Sequence, residues 1–295
     1  MVVNRKMRFG LTFSLLPVMV VIIGLFAGGV LMAIGQSLGY FSPTGESGPT
    51  FRHYLAIAID REFWNSLRVT LLFGGLATFL AAAGGMLLAL VLRRLAMRQR
   101  LVGLLIQIPL AVPHLSTAIV LIYLLSPSGL AARGLHWIGV IGAPDDFPLL
   151  INDRAGIGIV LAYLLKELPF VTIMILTLLS RIGEDLEEVA RTLGATAWQR
   201  FRHVTLPMIA PAALSSSLLV FAFIIGAFET PYLLGRTYPA MLSVVAQRRY
   251  MDPDLTMRPG AIAMAVLLSV LTTGLVWLYL KLAQRWSGIE RPLFF

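Results

Sequence analysis

Six long, continuously apolar runs constrain this chain more than any other feature. They cover about residues 11–34, 67–92, 101–125, 157–179, 209–234 and 261–282. Each exceeds the ~20 residues that carry a helix across the hydrocarbon core of a bilayer. In lipid the backbone must satisfy its own hydrogen bonds, so such runs become helices or closed barrels. A barrel strand alternates apolar and polar residues. These runs do not alternate, and the expected fold is all-α: a polytopic transmembrane helical bundle of six spans. Composition agrees, with 58% hydrophobic and only 13% charged residues, against about 45–50% and ~25% in soluble domains. The run at 11–34 is too long for the ~7–15-residue core of a cleavable signal and is read as a retained span.

The net charge of +9 and pI near 10.3 would suggest nucleic acid in a soluble protein. Here the cations cluster between apolar runs, which calls for no nucleic-acid partner. Arg5, Lys6, Arg8, Arg93, Arg94, Arg98, Arg100, Arg181, Arg191, Arg200, Arg202, Lys281, Arg285 and Arg291 fall on one side of a six-span topology. Arg52, Arg61, Arg133, Arg154, Arg236, Arg248, Arg249 and Arg258 fall on the other. The richer side is expected to be cytoplasmic, which places both termini there. No soluble stretch is long enough for a core of its own, so residues 1–295 read as a single domain. The absence of cysteine excludes disulfides and thiolate chemistry. The outer segments are longer. One of them, FRHYLAIAIDREFW, suits an interfacial helix with Trp64 at the headgroups.

Residues 184–207 form the one long polar stretch, EDLEEVARTLGATAWQRFRHVTLP, between spans 4 and 5. Leu186, Val189, Ala190 and Leu193 fall at i, i+3, i+4, i+7, a single apolar stripe. Glu184 and Asp185 suit the first turn of a helix, and Glu187 and Arg191 suit an i, i+4 pair. Gly194 suits a left-handed stop. Thr196 can cap a second helix over 197–203, with Trp198 and Phe201 on one face. Pro207 is expected to break the chain before span 5. The residues alone leave two readings open: an amphipathic connector on the inner leaflet, or a docking element whose aromatic pair enters a cleft on a partner.

Within the spans, ionisable groups are functional candidates. Glu229, beside Pro231, could hold an ammonium group, or pair with Arg236 or with an Arg of another span. Lys166 and Glu167 precede Pro169. They could pack and pair between spans or line a pathway. Pro109, Pro113 and His114 are expected to kink span 3, with His114 either hydrogen-bonded in the structure or lining the pathway. Tyr123 and Tyr163 could face a cation or simply pack. The run Ala81-Ala82-Ala83-Gly84-Gly85 suits close helix packing. No metal-ligand cluster, no H-E-x-x-H and no G-x-S-x-G motif is present. An intramembrane enzyme is therefore disfavoured. An autonomous secondary transporter would leave the polar loop unexplained.

The spacing Glu188-Val189-Ala190-x3-Gly194-x9-Val204-x-Leu206-Pro207 resembles the E-A-A-x3-G-x9-I-x-L-P loop of bacterial importer permeases of the ATP-binding-cassette type. Val189 and Val204 depart conservatively from it. The resemblance covers residue 65 to the C-terminus, with the core permease fold at about 65–283 and the coupling loop at 184–207. Within that family the chain looks most like the polyamine (spermidine–putrescine) permeases, which overlap with those for phosphonates, iron and thiamine. Asn65-Ser66-Leu67, Pro109 to His114, Lys166 to Phe170 and Gly226 to Gly235 carry this likeness.

The resemblance implies a multi-pass protein of the bacterial inner membrane. It implies a second permease, a paralogue or a copy, as well as two ATPase subunits and an external substrate-binding protein. The chain has no G-x4-G-K-[ST] loop, so no cofactor is expected on it. ATP and Mg belong to the partner ATPase. The coupling helix implied at 184–207 places Glu188, Ala190, Gly194, Ala195, Thr196, Ala197, Trp198, Phe201, Leu206 and Pro207 at the docking surface. Glu229, Phe228, Pro231, Lys166, Glu167, Tyr163 and His114 are candidates for the substrate pathway.

Overall fold

The computed structural model describes residues 5–40, 48–96, 100–143, 146–182 and 185–287. These residues contain no strand. The helices in order are α1 (Arg5–Ser37), α2 (Arg52–Ile59), α3 (Arg61–Ala96), α4 (Arg100–Ala111), α5 (His114–Leu125), α6 (Leu130–Trp137), α7 (Ile157–Ile182), α8 (Asp185–Thr192), α9 (Ala197–Arg200), α10 (Leu206–Gly226), α11 (Glu229–Leu234), α12 (Leu242–Tyr250) and α13 (Arg258–Ser287). Six helical segments among the described residues are long and apolar enough to cross a membrane: Leu15–Ser37, Arg61–Arg93, His114–Trp137, Ile157–Arg181, Ala197–Gly226 and Leu255–Leu282. Glu184 and residues 41–47 lie outside the described residues.

The contacts group into two compact units, Met1–Phe63 with Ala246–Leu267, and Trp64–Val245 with Leu268–Phe295. In the first, the Ser37 and Tyr54 hydroxyls share a 2.6 Å hydrogen bond that ties α1 to α2. The single helix expected over FRHYLAIAIDREFW is two: α2 stops before Asp60, whose backbone is extended, and Trp64 belongs to α3. Arg249, in the last turn of α12, pairs with Asp60 at 2.7 Å and Glu62 at 2.5 Å. Asp60 also accepts from the backbone N–H of Glu62, at the first turn of α3.

In the second unit α7 is central, packed on α4, α5, α10 and α11. The small-residue run of α3 explains its close approach to α7. A Cβ on Gly85 would stand 2.8 Å from the Val171 Cβ and 3.0 Å from the Leu168 carbonyl oxygen. The Thr172 hydroxyl donates to the Leu168 carbonyl at 2.7 Å and the Gly85 carbonyl at 3.3 Å. Bulk on that stripe would hold the two helices apart.

Spans 3 and 5 depart most from expectation. Span 3 is two helices, α4 and α5, interrupted at Val112–Pro113. Pro109 lies inside α4, so the discontinuity belongs to Pro113, whose missing N–H and ring disfavour helix just before it. Span 5 begins upstream: α9 runs through a π-helical turn at Phe201–Thr205 directly into α10. Pro207 does not break it, because the Leu206 N–H reaches back five residues to the Phe201 carbonyl and the wider turn absorbs the proline. Span 5 also ends earlier, at Gly226. Ala227 is extended, and α11 starts afresh at Glu229. Pro231 sits in the first turn of α11, where no intrahelical donor is lost.

Candidate functional site

The polar loop folds into two short helices around a glycine. Gly194 has φ +84°, the left-handed stop read from the sequence. The N–H of Gly194 bonds the Arg191 carbonyl and that of Ala195 the Ala190 carbonyl, both at 3.0 Å, closing the end of α8. Thr196 caps α9 reciprocally: its hydroxyl accepts from the Gln199 N–H, while the Gln199 side chain accepts from the Thr196 N–H. This capping box fixes the turn at 194–196. Arg200 adds a 2.8 Å bond to the Ala195 carbonyl.

The surface that results is apolar and open. Leu186, Val189 and Leu193 are 56%, 55% and 81% exposed, and Trp198 is 64% exposed. Trp198 and Phe201 share a face, with ring centroids 5.7 Å apart. Ala197 and Pro207 are exposed, while Ala190, Ala195, Phe201 and Leu206 are half-buried against the chain. A Cβ on Gly194 would meet nothing within 4 Å. The fold therefore requires the backbone freedom of that glycine, not its small size.

Beside this surface, on the flank of α8 that carries Ala190, the helix is anchored by a contact that local pairing rules do not give. Glu187 does not pair with Arg191. It accepts from the Arg93 guanidinium and the Thr205 hydroxyl, both at 2.6 Å. Arg191 pairs instead with Glu188, at i, i+3 and 2.8 Å. Burial alone would push the Glu187 carboxyl up. The Thr205 hydroxyl and the Arg93 guanidinium, with Arg200 nearby, outweigh this and hold it below the usual carboxylate range. The available signal was position: Glu187 precedes half-buried Ala190 by three residues and so shares its face.

In the spans, Lys166 and Glu167 are buried, at 4% and 8% exposure. The Lys166 ammonium donates to the Pro109 carbonyl at 2.6 Å, to that of Leu110 at 3.2 Å, and to that of Val112. Glu167 bonds the His114 Nε2 at 3.1 Å. His114 also lies against Phe223 of α10, centroids 4.6 Å apart. Tyr163 is fully buried and offers no surface to a solute.

Glu229 is exposed at the start of α11 and, among the described residues, has no ion-pair or hydrogen-bond partner. Of the alternatives open for Glu229, the pair with Arg236 is absent. That guanidinium donates to the Pro239 and Arg154 carbonyls and lies over the Phe73 ring. Half-buried Phe228 stacks on exposed Tyr232 at 5.0 Å, beside the free carboxylate. No cluster of three metal-ligating side chains occurs among the described residues.

Residues 81–288 match the family described as binding-protein-dependent transport system inner membrane component. The chain belongs to that family. As one of these permease components it is a multi-pass membrane protein. It is 28% identical over 233 residues to the trehalose transport system permease protein SugA of Mycobacterium tuberculosis, covering 78% of this chain and 73% of that protein. A putative 2-aminoethylphosphonate transport system permease protein of Salmonella choleraesuis is 25% identical, with 82% of each chain covered. A sulfate transport system permease protein of Synechocystis is 28% identical, covering 72% of this chain and 75% of that protein. The fold is that of a chain in a bacterial alginate ABC transporter crystallised with its alginate-bound periplasmic protein. The TM-score is 0.76 over 96% of each chain, at 22% identity. The named relatives are thus sugar, phosphonate and sulfate permeases, and the likeness to the polyamine branch is not specific.

Proposed function

We propose that this permease is a subunit of an ATP-driven importer and that residues 184–207 dock an ATPase. The exposed apolar and aromatic face of Leu186, Val189, Leu193 and Trp198 carries the proposal. It is capped by the turn at 194–196 yet uncovered, and Glu187, beside it on α8, anchors it to Arg93 of α3 and to Thr205. A connector lying on lipid needs no aromatic pair fixed by a capping box; a knob for a cleft does. Glu188, beside this face, adds charge for the partner. Two ATPase subunits, a second permease and an external binding protein complete the assembly. The chain lies in the bacterial inner membrane with both termini in the cytoplasm, and residues 1–295 act as one permease domain. ATP and Mg bind the ATPase. This chain itself catalyses nothing.

The solute is a small polar molecule bearing an ammonium group, such as a polyamine. Glu229, a free carboxylate flanked by stacked Phe228 and Tyr232, supports this reading, since carboxylate and aromatic faces both attract cations. The 2-aminoethylphosphonate named for one relative also carries an amine. A neutral sugar, as in the trehalose relative, is the second reading, favoured by the same aromatic pair.

Trp198→Ala and Gly194→Asp test the docking assignment. Both variants should insert normally and lose ATP-coupled uptake; full uptake in both would refute it. Glu229→Gln separates the solute readings. It should weaken uptake of a polyamine and leave that of a neutral sugar unchanged.

A further inference from the structure

The interruption between α4 and α5 leaves two helix ends against buried Lys166 and Glu167 of α7, a helix long and apolar enough to cross a membrane. At the end of α4 the last carbonyls have no intrahelical donor, and Pro113 supplies no N–H to replace one. At the start of α5 the free N–H groups carry the positive end of a helix dipole. Unsatisfied backbone groups are costly in such surroundings. In many transporters broken helices use these ends to hold solute.

We infer that Lys166 and Glu167 together are a clasp that caps the end of α4, ties down the first residue of α5 and so fixes the geometry of the break, and that neither binds solute. The ammonium of Lys166 has three protons and three carbonyl acceptors: Pro109, Leu110 and Val112. All three lie in the last turn of α4 or just beyond it. The adjacent residue, Glu167, holds His114, the first residue of α5, at 3.1 Å. One dipeptide of α7 thus sets a cation against a helix C-terminus and an anion near a helix N-terminus, the favourable pairing at both. Lys166 and Glu167 are buried, and the ammonium's donors are fully used. Lys166 keeps no donor for a passing ligand, and burial holds the Glu167 carboxylate away from one. Both are positioning residues: they act on the α4–α5 angle.

The native chain has no cysteine, so spin labels at Leu104→Cys and Val120→Cys, exposed positions on α4 and α5, report that angle in the full chain in lipid nanodiscs. The wild-type background and Lys166→Arg should give one narrow distance. Lys166→Met should lose it to a broad distribution. Adding Pro113→Ala to Lys166→Met heals the helix, removes the need for a cap, and should restore a single distance. Should Lys166→Met prove too unstable to purify, recovery of folded protein in the double variant is the expected result. A narrow, wild-type distance in Lys166→Met would overturn the inference. So would a double variant as broad, or as poorly folded, as the single one.

Discussion

Gly85 and Glu187 show what single residues contribute. Gly85 permits the contact between α3 and α7. Gly85→Ala should destabilise the protein by about 1–3 kcal/mol, because the added Cβ meets both a side chain and a carbonyl of α7. Thermal unfolding in detergent, compared with Gly75→Ala, where a Cβ meets nothing within 4 Å, checks this. Glu187 anchors α8 to Arg93 and Thr205. Its folded carboxyl is held low, so its contribution is present above the ordinary carboxylate pKa and is lost as pH falls through the folded value. Proteolysis of the 184–207 loop should therefore increase on acidification below the ordinary carboxylate range in the wild type. Glu187→Gln should show the raised susceptibility already at neutral pH; equal rates in the two proteins at neutral pH would contradict the anchor. The Gly85 contact was legible in the sequence, because a run of small residues has one common use between membrane helices. The Glu187 contact was not. Local pairing rules reach four residues, and Arg93 is 94 positions away.

At the level of elements, the loop's grammar was largely readable: apolar stripe, Gly stop, Thr cap, aromatic pair. These depend on neighbours in sequence. What could not be read is that α9, the π-turn and α10 are continuous from Ala197 to Gly226, 30 residues. At 1.5 Å per residue that is roughly 45 Å, against about 30 Å of hydrocarbon core. The helix is therefore longer than the core it would cross, and Trp198 lies on it with no loop between that end and the rest of span 5. Proline misled the sequence reading here because a π-turn can absorb it. Deleting one residue from 201–205 should restore α-helical winding and turn the Trp198 face by about 100° relative to α10. The ATPase should then fail to co-purify, while membrane insertion is unaffected. Retained co-purification would mean that this register does not matter. In span 3 the prolines did announce a break, but the residue that caps it lies on another helix and carries no local mark.

For the whole molecule, six spans and the fold were legible because bilayer thickness fixes helix length and leaves the backbone few alternatives. Orientation rests on the asymmetry of Lys and Arg. It predicts that Leu193→Cys is shielded from an impermeant maleimide in intact cells, and that Trp137→Cys, 87% exposed in the wild-type residue, is labelled; the reverse pattern would invert the topology. The central claim is that this permease moves solute only when an ATPase engages its cytoplasmic loop. The most direct test is uptake into proteoliposomes that hold the chain and its partner permease, with and without the ATPase subunits. A radiolabelled polyamine, 2-aminoethylphosphonate and trehalose serve as probes. Accumulation of one probe only with the ATPase and ATP is the predicted result; accumulation of any of them without an ATPase would contradict it.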